Sequence, residues 1–119
     1  ALGDGICFET SGGNLRPKCV NGSSVTQGTT FTVSTGVWYT FRISLSTLGT
    51  TATVANFEIL STAGTTVYST TLNANVPIGS SALTLGHGIM ATHGTSGTNN
   101  ILDLDYMSLG YNSSRQLAR

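Results

Sequence analysis

The clearest periodicity in the chain is the run Trp38-Tyr-Thr-Phe-Arg-Ile-Ser-Leu45, in which Tyr39, Phe41, Ile43 and Leu45 alternate with Trp38, Thr40, Arg42 and Ser44. A period of two over such a run predicts a strand with one buried face. Two further apolar runs follow, residues 51–60 with Val54, Phe57 and Ile59, and residues 65–72 with Val67, Tyr68 and Leu72. Ser61-Thr62-Ala63-Gly64 between them predicts a hairpin turn. Upstream, residues 4–9 and 15–20 flank Ser11-Gly12-Gly13-Asn14, a second hairpin. Residues 31–33 make a short strand before the turn at Thr35-Gly36, and residues 83–93 and 101–109 are the last two strand candidates, with a polar loop at 94–100 between them.

Helical spacing is absent: no window places apolar residues at i, i+3, i+4 and i+7 with helix formers between them. Short strands punctuated by turn signals predict an all-β antiparallel β-sandwich, whose core takes Phe8, Phe31, Tyr39, Phe41, Ile43, Phe57, Ile59, Leu102, Leu104 and Tyr106. A length of 119 residues fits a single domain over 1–119, and a first residue other than Met suggests a piece of a longer protein. Thr, Ser, Gly and Asn fill 57 positions, a composition that alone would suggest disorder. Against that, 39% hydrophobic residues and a mean hydropathy of +0.13 supply enough apolar surface for a core.

Charge removes several function classes. Five basic and five acidic residues leave no face able to carry the dense positive patch that a phosphate backbone requires, so no nucleic-acid partner is expected. No apolar run is long enough to cross a bilayer as a helix, so no membrane insertion is expected either.

The order of motifs resembles a known family. Asp4-Gly5-Ile6, then Phe8-Glu9, resembles the opening strand of concanavalin A-like jelly-roll domains in structural proteins of tailed bacteriophages. Gly36-Val37-Trp38-Tyr39-Thr40-Phe41-Arg42-Ile43 resembles a central strand of that family, and Phe57-Glu58-Ile59 with Val67-Tyr68 resembles its next hairpin. Asn75-Val76-Pro77 and the run from Leu102 to Leu109 are similar to its later elements. The resemblance implies a jelly roll in a tail fibre, tailspike or similar appendage, located in the virion. It implies adhesion to a host cell-surface glycan or receptor, or assembly with other virion proteins, in a homo-oligomer, most often a trimer. It implies no single chemistry, because such folds host many functions. A carbohydrate-binding module of a secreted enzyme is the alternative, and a glycoside hydrolase a weaker one.

Candidate chemistry is sparse. Glycoside hydrolysis needs two carboxylates about 5–9.5 Å apart, and the sequence offers only Asp4, Glu9, Glu58, Asp103 and Asp105. Asp103 and Asp105 share a strand face and read as its solvated side. His87 and His93 read as solvated or ladder-paired, and no Gly-x-Ser-x-Gly elbow accompanies the many serines. The protein is therefore expected to be no enzyme, with no catalytic residue, metal or cofactor. Ligand-binding candidates are Thr95, Ser96, Thr98, Asn99 and Asn100 of the polar loop, whose side chains suit sugar hydroxyls. Trp38 and Arg42, on the polar face of their strand, are the others. Trp38 is either an open stacking platform or, as is commoner for a lone Trp, covered, and Arg42 is placed to lie over its ring. Cys7 and Cys19 lie symmetrically about Gly13. That register sets the thiols opposite each other, either reduced and buried, joined in a disulfide, or bound to a metal, which would need His87 or His93 to join them.

Overall fold

A computed structural model of the protein describes residues 4–46 and 53–77. These residues form seven strands and no helix. β1 (Gly5–Ser11), β2 (Asn14–Asn21), β3 (Ser24–Gln27) and β4 (Phe31–Thr32) make one antiparallel sheet, in the order β1-β2-β3 with β4 also paired to β2. β5 (Tyr39–Ser46), β6 (Val54–Ser61) and β7 (Thr66–Leu72) make a second antiparallel sheet in sequence order. The all-β, two-sheet architecture expected from the alternation is what the described residues adopt.

Local chemistry fixes each hairpin. Gly12 and Gly13 both take positive φ, +58° and +81°, which matches the two-residue turn whose twist suits paired strands. Ser11 consequently pairs with Asn14, Cys7 with Lys18 and Cys19 with Ile6. This corrects the expected register by one residue. Symmetry about Gly13 presumes an odd loop, whereas a two-residue glycine turn centres the hairpin between Gly12 and Gly13. Side chains alternate faces along a strand, so Cys7 and Cys19 lie on opposite sides of the sheet, and both are free thiols. The β6–β7 hairpin closes through Gly64, whose N–H donates to the Ser61 carbonyl at 2.9 Å, and through Ser61, whose N–H donates to the Thr65 carbonyl at 2.8 Å.

The core lies between the sheets. From β1 and β2 come Ile6, Phe8, Pro17 and Cys19; from the second sheet come Leu45, Ala55, Phe57, Ile59 and Leu72. Phe57, Ile59 and Cys19 are fully buried. The Phe8 ring meets Phe57 edge-on at 5.2 Å and Phe41 at 5.4 Å, which joins the two sheets through one aromatic cluster. After β7 the backbone turns at Asn75, which adopts φ +54° and donates its amide Nδ2–H to Thr26 Oγ1 of β3 at 2.9 Å, while Val76 enters the core.

A second aromatic group ties β4 to the opposite sheet. Phe31 packs edge-on against Tyr39 at 5.5 Å and against Tyr68 at 5.8 Å. The Tyr68 hydroxyl donates to the Thr29 carbonyl at 2.7 Å, and the Ser34 N–H donates to the Tyr39 hydroxyl at 3.3 Å.

Among the described residues, the expected core is right in face and too generous in depth. Phe8, Phe31 and Tyr39 are half-buried, while Phe41 and Ile43, inward on β5, remain 47% and 40% exposed. Leu102, Leu104 and Tyr106 lie outside the described residues. Ala55, Leu72, Val76 and Cys19 supply core that the large aromatics had masked in the sequence.

Candidate functional site

Two outward faces carry polar side chains, and each is built by strand register. On the second sheet, the residues of β5 that alternate with the core set are Thr40, Arg42, Ser44 and Ser46. Arg42 pairs directly with Glu58 of β6, and Arg42 Nη1 donates to Glu58 Oε2 at 3.3 Å. Farther along, Asn56 Nδ2 donates to Ser46 Oγ at 3.2 Å and Asn56 Oδ1 accepts from Thr71 Oγ1 of β7 at 3.0 Å. Among the described residues this face thus carries hydroxyl and amide groups and one ion pair. Trp38 stands just before β5, beyond a turn in which the Val37 N–H donates to the Ser34 carbonyl, and it is 53% exposed.

Of the two alternatives, Trp38 is exposed and not covered. The expected cation–π stack with Arg42 is absent among the described residues, because the guanidinium turns across the ladder to Glu58. An ion pair with a cross-strand neighbour needs no detour along the strand, whereas Trp38 is four residues away on the same side. Thr95, Ser96, Thr98, Asn99 and Asn100 lie outside the described residues, as do His87, His93, Asp103 and Asp105.

The outward face of the first sheet was not foreseen. Glu9 is its hub: Oε1 accepts from Arg16 Nε at 2.7 Å and from Gln27 Nε2 at 2.6 Å, and Oε2 accepts from Lys18 Nζ at 2.8 Å. Three strands contribute, since Glu9 pairs with Arg16 across β1–β2 and Lys18 pairs with Gln27 across β2–β3. Burial raises the Glu9 carboxyl, but the hydrogen bonds and charges of Lys18 and Arg16 outweigh it and hold the group below the usual carboxylate range. Cys7 sits beside this hub. Burial and then the Glu9 charge push its thiol up, with Lys18 opposing them. Burial, followed by the proximity of Cys7, pushes the Cys19 thiol up to about 11. Neither thiol has the low pKa of a reactive nucleophile.

Each carboxylate among the described residues accepts from at least one donor. Glu9 is held by three donors, Glu58 by Arg42, and Asp4 Oδ1 accepts the Gly22 backbone N–H. No group of three or more His, Cys, Asp or Glu side chains suited to a metal ion occurs among the described residues.

A family model described as SO2946-like, C-terminal domain, matches residues 1–105 of this protein. No curated protein and no solved structure was found to match it.

Proposed function

We propose that this protein, which belongs to the family of SO2946-like C-terminal domains, is a non-enzymatic recognition module. In this reading it is a concanavalin A-like jelly roll carried on a virion appendage of the tail-fibre or tailspike type. It attaches to a host-surface glycan and works as a homotrimer. The observation that carries the reading is Trp38: an indole 53% exposed beside a polar strand face that carries one ion pair. An open aromatic face offers stacking to a sugar ring, and Thr40 and Ser44 offer hydroxyl partners without the desolvation cost of a free charge. Thr95, Ser96, Thr98, Asn99 and Asn100 extend the proposal on their side-chain chemistry alone. A binding role agrees with the engagement of Asp4, Glu9 and Glu58 with donors.

A glycan array probed with the protein, with mass from light scattering, tests the proposal. A retained glycan is expected, with affinity about three- to tenfold weaker in Trp38→Ala, the factor one aromatic contact supplies. Failure to retain any glycan, or full affinity in a folded Trp38→Ala variant, overturns the proposal.

A further inference from the structure

The sequence holds one Asn-Gly pair, Asn21-Gly22. Asn21 ends β2 and pairs with Ser24 across the two-residue turn Gly22-Ser23, and it is exposed. The Gly22 nitrogen is the atom that would attack the Asn21 side-chain amide, and with no Cβ on Gly22 nothing shields it. That same N–H donates to Asp4 Oδ1, just before β1. The turn thus brings together a spontaneous modification chemistry and a carboxylate that engages its nucleophile.

From this geometry we propose that Asn21 is a deamidation site and that Asp4 sets its rate by holding the Gly22 N–H. Ring closure forms a bond from the Gly22 nitrogen to Asn21 Cγ. The Gly22 nitrogen's proton passes to solvent base, Nδ2 takes a proton from solvent, the bond from Cγ to Nδ2 breaks, and ammonia leaves. Water then opens the succinimide at either carbonyl and yields aspartate or isoaspartate, with no oxidant or reductant. To reach Cγ, the Gly22 nitrogen must swing away from its place in the turn, where Gly22 holds φ +61° and Asn21 stays paired with Ser24. The Asp4 hydrogen bond opposes that swing and directs the proton at a carboxylate instead of at solvent.

The product changes the sheet. Either acid places a new negative charge near Asp4, and isoaspartate lengthens the backbone where a two-residue turn must close Asn21 on Ser24. β3 then loses register, and with it Thr26, which holds Asn75, and Gln27, which holds Glu9. The modification is a one-way loosening of β3, independent of what the Trp38 face binds.

The test is to age the intact protein in mildly alkaline buffer and follow each asparagine by peptide mapping, with isoaspartate read by isoaspartyl methyltransferase labelling. Asn21 is expected to convert first, with isoaspartate in excess, and Asn21→Gln to abolish that signal. Asp4→Ala is expected to speed conversion at Asn21 about three- to tenfold, the factor by which losing one solvent-exposed hydrogen bond eases opening of the turn. Asn14 and Asn75 serve as references within the same molecule. An unmodified Asn21 while other asparagines convert overturns the proposal. So does an equal or slower rate in Asp4→Ala, or an equal acceleration at Asn14 and Asn75, which would mean general unfolding.

Discussion

Replacing Gly28 by alanine tests the packing at the seam between the sheets. Gly28 follows β3, and its N–H donates to the Pro17 carbonyl at 2.9 Å. A Cβ built there would stand 2.7 Å from Pro17 Cγ, 3.3 Å from Pro17 Cδ and 3.4 Å from Thr70 Cγ2. Two effects compete. Alanine restricts the unfolded state, which at an unstrained backbone position stabilises by about 0.4–1 kcal/mol. The clash costs about 1–3 kcal/mol, the usual penalty of overpacking. Pro17 decides the sign. Its ring is fully buried in the core and cannot swing aside as a long exposed side chain would. A net loss of about 1–2 kcal/mol follows, which lowers Tm by about 4–8 °C in a domain of this size. Thermal unfolding followed by circular dichroism reads it directly. Pro17→Ala should remove most of the added cost of Gly28→Ala, so the double variant should show a coupling of about 1 kcal/mol or more. An unchanged or raised Tm in Gly28→Ala, or strict additivity with Pro17→Ala, would refute the contact.

Other consequences are equally open to measurement. Phe57→Ala, which empties a fully buried site against Phe8, should cost about 3–5 kcal/mol and show as a lower midpoint in urea; a loss under about 1 kcal/mol would mean that the two sheets do not share this core. Because the folded Glu9 carboxyl lies below its unfolded value, its contribution is whole above the unfolded value of about 4.3 and is lost as pH falls through the folded one. Unfolding midpoints measured across that acidic window should fall less steeply for Glu9→Gln than for the parent protein. Both thiols are free and pushed up by burial, so iodoacetamide near neutral pH should label the native protein slowly and the urea-unfolded protein at both cysteines, with no reductant needed. A requirement for reductant would show a disulfide.

What the sequence made legible is whatever rests on local alternation. β5 and the β6–β7 hairpin could be placed because Phe41, Ile43, Phe57 and Ile59 recur at a period of two and Gly64 marks the turn. β3 was missed because Ser24-Val-Thr-Gln carries a single apolar residue, and that residue, Val25, is 48% exposed. Its existence comes from pairing with β2, a non-local cause. The Cys7–Cys19 opposition failed on one residue of register, which two consecutive glycines decide and a residue count does not. Trp38 and Arg42 could be named from their face, yet the partner of Arg42 depended on how β5 meets β6, and that alignment is set by the core. The Glu9 hub needs three strands in register at once, so no spacing along the sequence announces it.

β4 is only two residues long, and its hydrogen bonds to β2 could not hold it against much force. Its side-chain contacts give it a different office. Phe31 belongs to one sheet by its backbone and to the other by its ring, wedged against Tyr39 and Tyr68, with the Tyr68 hydroxyl latched to Thr29 two residues before it. A load that slides one sheet past the other must therefore shear these ring contacts and the latch together, whereas a load that peels a strand from its edge breaks ladder bonds one at a time. The sandwich is in this way mechanically anisotropic, stiff to sliding and soft to peeling, and the direction in which it is pulled would set the force at which it yields.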